Sequence, residues 1–206
     1  MNTLLDYISV FGHAIAAALF GALAIWQFQR KVPRTEKHIW LIVAIALTSF
    51  WALSIAVEGF LTPIARFSET LRNFGWLAFM FILLRTGEGR DEPKTVNVIY
   101  ATLTFVLVGQ TVVDSLLPAF AGSPRLEGVT LYTSLVLRMI FSVGALVLVH
   151  NLYSITAPET RWGIRLPMAS LAAIWTYDLN LYTITYLTQQ VPIELHVMRG
   201  PMMAVI

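Results

Sequence analysis

Cysteine is absent from this 206-residue chain, which excludes disulfides, thiolate metal sites and cysteine nucleophiles while fixing no compartment. Charge is scarce: Asp, Glu, Lys and Arg make up 13% of the residues, against about 25% in a soluble domain. Lysine is confined to Lys31, Lys37 and Lys94, between apolar segments. A retinal photoreceptor, which needs a lysine inside the membrane, is therefore excluded for the residues in view. The four histidines, His13, His38, His150 and His196, are too scattered for the clustered ligands of a metal-dependent membrane enzyme. No zinc-protease HExxH, GxSxG elbow or kinase signature is present, and Gly87 and Gly89 are followed by no GK[ST]. No 20–50-residue repeat or low-complexity tract occurs. No Lys or Arg precedes Arg30, so the N-terminus lacks the basic start of a cleavable signal peptide. Neither metal nor cofactor is expected, and a net charge of +2 gives no argument for nucleic acid.

What the chain has is apolar surface. Hydrophobic residues make up 57% of it and mean hydropathy is +0.69, more than one soluble core can hide, so a lipid bilayer is the expected solvent. A spanning helix needs about 20 largely apolar residues. Six segments meet or approach that: 4–27, 39–61, 64–84, 96–117, 131–153 and 166–188. A seventh begins near Arg199 and reaches Ile206. The expected fold is an all-α integral membrane protein, a seven-transmembrane helix bundle read as one domain over 1–206, with its N-terminus outside and its seventh helix truncated. Nine Lys and Arg fall in the first, third and fifth connections, against Arg66, Arg72, Arg125 and Arg199 on the other side. That bias sets the orientation. Trp26, Trp40, Tyr153 and Trp162 are placed as anchors at the inner boundary.

The third segment is exceptional. The run between Arg72 and Arg85, "NFGWLAFMFILL", gives about 18 Å of helix, too little to span. Starting near Ile64 brings Arg66, Glu69 and Arg72 in on one face.

Polar groups inside the segments gather toward the outer half. They are Asp6, Ser9 and His13 on the first, Ser54 and Glu58 on the second, Arg72 on the third and Gln110 and Asp114 on the fourth. The fifth carries Ser134, Arg138 and Ser142, and the sixth Asp178, Tyr182, Thr185 and Gln189. Charges in lipid turn inward and pair. Asp178 is expected to meet Arg138, with Glu58 and Asp114 competing for Arg72. The expected ligand or sensing network is Glu58, Arg72, Asp114, Arg138, Asp178 and Tyr182, with His13, Gln110 and Thr185 as lesser members. Two readings of it stand. Polar side chains also serve as glue between membrane helices, whereas a polar track rising from Asp178 to the surface suits a pocket open outward.

"EGFLTPIARFSETLRNFGWLAFMFILLR", "LVLVHNLYSITAPETRWGIRLP" and "YDLNLY" carry a resemblance across nearly the whole chain. They resemble the N-terminal membrane region of the PrsK-type histidine kinases of PEP-CTERM/exosortase systems. The matching positions are Glu58, Arg72, Trp76, Pro158, Glu159, Arg161, Trp162, Tyr177, Asp178, Leu181 and Tyr182. "VMRGPMMAVI" is similar to the start of that family's last membrane helix. The resemblance implies a membrane sensor in the bacterial inner membrane, followed by a cytoplasmic kinase core that is absent from this chain. It also implies a response regulator for exopolysaccharide and exosortase-linked genes, and action as a homodimer on a small ligand or envelope signal. No catalysis is expected of this chain alone. The alternative is a small polytopic transporter or proton-coupled carrier, against which stand the lack of an inverted repeat and of paired interrupted helices.

Overall fold

The structure, a computed structural model, describes residues 3–31, 35–85, 94–120, 122–155 and 158–206. Among them are seven α-helices: α1 (Thr3–Gln29), α2 (Glu36–Glu58), α3 (Pro63–Arg85), α4 (Lys94–Leu116), α5 (Pro124–Ile155), α6 (Pro158–Thr188) and α7 (Ile193–Val205). A 3-10 turn at Pro118–Phe120 follows α4. Arg34, Gly87, Gly89 and Arg90 lie outside the described residues, as do the side chains of Lys94, Glu159, Arg161 and Trp162.

Local chemistry sets the boundaries. α3, α5 and α6 each begin on proline, whose missing N–H costs nothing at the first helical position. The Thr62 hydroxyl accepts from Ala65 N–H at 3.4 Å at the start of α3. α2 ends where Gly59 takes φ +89°, open to glycine and strained for other residues. α5 and α6 each begin seven or eight residues before the apolar segments expected at 131 and 166, and α7 six residues before Arg199. Hydropathy marks the apolar stretch of a helix and passes over its polar first turns.

Among the described residues four helices, α1, α2, α4 and α5, are long and apolar enough to cross a membrane, which makes the chain a multi-pass membrane protein. Its packing agrees. On α1 the buried residues apart from His13 are small, Gly12, Ala16, Ala17 and Ala24, while Phe11, Ile15, Leu19 and Leu23 are exposed. On α4, Phe105, Val108 and Val112 are exposed, and on α5 Val136, Ile140 and Val143. Water would drive these large side chains inward. In lipid they gain nothing by burial, and close packing of small residues holds the helices together instead.

The chain divides into two compact units, Met1–Phe79 with Val191–Ile206, and Met80–Gln190. In the first, α1 packs on α2 and on α7. The Ser49 hydroxyl donates to Ala17 O at 2.7 Å, and Gly75 lies so near α2 that a Cβ there would meet Ala44 Cα at 3.3 Å. In the second, α5 packs on α4 and on α6. The buried seam of α6 runs Met168, Leu171, Trp175, Asp178 and Tyr182, alternating steps of three and four, as a coiled-coil-like stripe requires. That of α5 changes character along its length, from Thr130, Ser134, Arg138 and Ser142 to Ala145, Leu148 and Leu152.

Candidate functional site

Each unit holds a buried polar cluster of its own. In the second unit the centre is Arg138, placed by the α5 seam. Its Nη2 donates to Asp114 Oδ2 of α4 at 2.8 Å, and the Ser134 hydroxyl donates to Asp114 Oδ1 at 2.6 Å. Both carboxylate oxygens are thus engaged. The guanidinium also lies 5.7 Å from the Tyr182 ring centroid on α6. One turn along α5, Ser142 donates to Arg138 O. Asp178 on the α6 seam is 1% exposed and Gln110 on α4 is fully buried. Thr185 bonds back to Leu181 O of its own helix. Of the expected network, Asp114, Arg138 and Tyr182 therefore come together.

The first unit gathers a second cluster from four helices. Trp51 of α2 is fully buried, with the guanidinium carbons of Arg72 (α3) and Arg199 (α7) at 4.4 and 4.6 Å from its ring centroid. Glu69, a turn before Arg72, hydrogen-bonds the Arg199 guanidinium and lies 3.9 Å from Arg72 Nη2. Arg72 also donates to Asn73 Oδ1 through Nε at 3.3 Å and Nη2 at 3.1 Å. His13 of α1 meets the Trp51 ring edge-on, centroids 5.8 Å apart, and its Nδ1 donates to Ser9 O at 2.8 Å. Beside the cluster, Ser54 and Ser68 share a 2.8 Å hydrogen bond, and Trp76 Nε1 donates to Thr48 Oγ1 at 2.9 Å.

Two expectations are corrected. Glu58 does not join a network: it is exposed at the end of α2, because the Gly59 turn ends the helix there, and the acid beside Arg72 is Glu69. Asp114, expected to compete for Arg72, bonds Arg138 within its own unit. Sequence reasoning missed Trp51 and the Glu69–Arg199 pair as site residues. The three-residue spacing of Arg66, Glu69 and Arg72 placed Glu69 on the right face, but Arg199 is 130 positions away and was counted as a surface charge.

Chemically, both clusters join guanidinium, carboxylate and aromatic faces out of water, where such pairings are strong and directional. Among the described residues no group of three or more His, Asp or Glu is placed to hold a metal ion.

Compared with protein-family models, curated proteins and solved structures, the chain finds no match. Its fold and its two buried charge clusters define a helical multi-pass membrane protein with ionisable groups inside its bundles.

Proposed function

We propose that this chain is the membrane-embedded sensory domain of a two-component histidine kinase of the PrsK type. It would sit in the bacterial inner membrane, N-terminus outside, with seven helices in the bilayer and the catalytic core supplied by sequence beyond it. The observation that supports this reading best is the Asp114–Arg138–Tyr182 cluster, 9% and 7% exposed at its carboxylate and guanidinium. Ionisable groups are retained inside membrane bundles chiefly where they bind, relay or switch. A network joining α4, α5 and α6 gives a ligand something to bias, and Asp178, on the same α6 seam as Tyr182, belongs to it in this proposal. Signalling needs two helix arrangements whose balance the signal shifts. The output would pass through a homodimeric kinase core to its response regulator.

The test is the gene itself, then function. The reading frame past the codon for Ile206 should enter a phosphoacceptor-histidine helix and an ATP-binding domain. In that full-length protein, Arg138→Ala and Asp178→Asn should alter phosphorylation of the response regulator while membrane insertion is kept. A stop codon directly after Ile206, with substrate uptake into vesicles, would replace the sensor with the carrier. Unchanged phosphorylation in both variants would reduce the cluster to structural glue.

A further inference from the structure

α7 meets α1 at closest range through two glycines. A Cβ on Gly200 would lie 2.6 Å from both the backbone N and Nδ1 of His13, and one on Gly12 would overlap the Pro201 ring. The contact thus fixes the axial position of α7 and sends Arg199, the residue before Gly200, into the first unit, where it is 2% exposed. It arrives on an indole face (4.6 Å) and a carboxylate, Trp51 and Glu69. This pair is what a planar, weakly hydrated cation requires, a π-face for the charge and an acceptor for the N–H fork. Gly200 and Pro201 are the two poorest helix-forming residue types and lie together inside α7. Helix formation there consequently leans on docking, and docking on what Arg199 finds.

We infer that Trp51 and Glu69 form a binding site for guanidinium-type organic cations, and that Arg199 occupies it as a tethered ligand holding α7 against α1. A free cation of that class competes with Arg199, and the competition is transmitted as release of α7. The site lies in the first unit, uses none of the Asp114–Arg138 cluster, and stands whether or not the chain serves a kinase.

The absence of cysteine makes the test direct. Val197, in the second turn of α7, is 2% exposed, and a single Val197→Cys reports seating of α7 through its rate of maleimide labelling in membranes. With Arg199→Ala added, labelling should accelerate about tenfold or more, the scale of truncating one side of a buried charged contact. With Arg199 in place, methylguanidinium at millimolar concentration should accelerate labelling of Val197→Cys, potassium or methylammonium should not, and Arg199→Ala, having no tether to displace, should show no further acceleration. Thr130→Cys, buried in the second unit, should stay slow throughout. If it also becomes fast, Arg199→Ala has unfolded the chain, and Arg199→Lys carries the test. Keeping charge but losing the fork, it should label at an intermediate rate and be accelerated by methylguanidinium at lower concentration than the parent. Labelling unchanged in the Arg199 variants, or unmoved by methylguanidinium with Arg199 in place, would overturn the inference.

Discussion

Arg138→Met removes the guanidinium from the second cluster at nearly constant volume. At 2.8 Å from Asp114 Oδ2, the Coulomb attraction is about 6 kcal/mol at an effective dielectric near 20, before desolvation is charged against it. Part of that is already forfeited in any buried pair. Stripping one partner, however, leaves the other uncompensated, and measured costs run to about 3–5 kcal/mol. Asp114 would keep the Ser134 hydroxyl at 2.6 Å on its other oxygen, which places the expected loss at the lower end, about 3 kcal/mol. Neutral hydrogen bonds between membrane helices average only about 0.6 kcal/mol, so the two cases are separable. Reversible unfolding in mixed micelles gives each value. A cycle with Asp114→Asn isolates the pair, and the double variant should recover part of the loss, because an amide at 114 tolerates a neutral neighbour. A loss under about 0.6 kcal/mol with no coupling would mean that the pair behaves as an ordinary neutral contact, and the case for a high-energy site would fall.

Gly200→Ala and Gly109→Ala should move stability in opposite directions. The first forces a methyl to 2.6 Å from His13 N and should cost about 1–3 kcal/mol by overpacking. The second meets nothing within 4 Å and should gain up to about 1 kcal/mol from helix propensity, both read in the same unfolding assay. Trp76→Phe removes the 2.9 Å bond to Thr48 and should cost about 1 kcal/mol, with no effect on Val197→Cys labelling. Glu58→Gln, at an exposed carboxylate, should lie within about 0.5 kcal/mol of the parent in the same unfolding assay. A larger effect would return Glu58 to the site.

The helices were legible because apolar runs and Pro or Gly breaks are local signals. The lower apolarity of α3 was legible as well, in the charges of "ARFSETLR". Partners were not. Asp114 and Arg138 lie 24 positions apart, on helices whose facing sides depend on the whole stripe, and Asp178 was the more conspicuous acid because it sits mid-helix. Orientation was read from loop charges, but Arg72 and Arg199 are buried, which leaves Arg66 and Arg125 on the sparse side. Trp51 drew no attention because an aromatic on an apolar helix is ordinary until two guanidinium groups are found against it.

The charged face of α3 bears on how the chain is made. Arg66, Glu69 and Arg72 lie on a helix that is not among the four apolar enough to enter a bilayer unaided, and a charge near the centre of an inserting helix costs about 2.5–3.5 kcal/mol. α2, which is apolar enough, carries Ser54 and Thr48 to meet Ser68 and Trp76. Pairing of α3 with α2 through these hydrogen bonds would offset part of that cost. Arg199, however, leaves the ribosome 130 residues after Glu69. The unit synthesised first is the one completed last, and throughout translation of α4 to α6 Glu69 has Arg72 nearby but not yet its Arg199 contact. A chain interrupted before α7 would lack the Arg199 contact that completes the first unit's cluster.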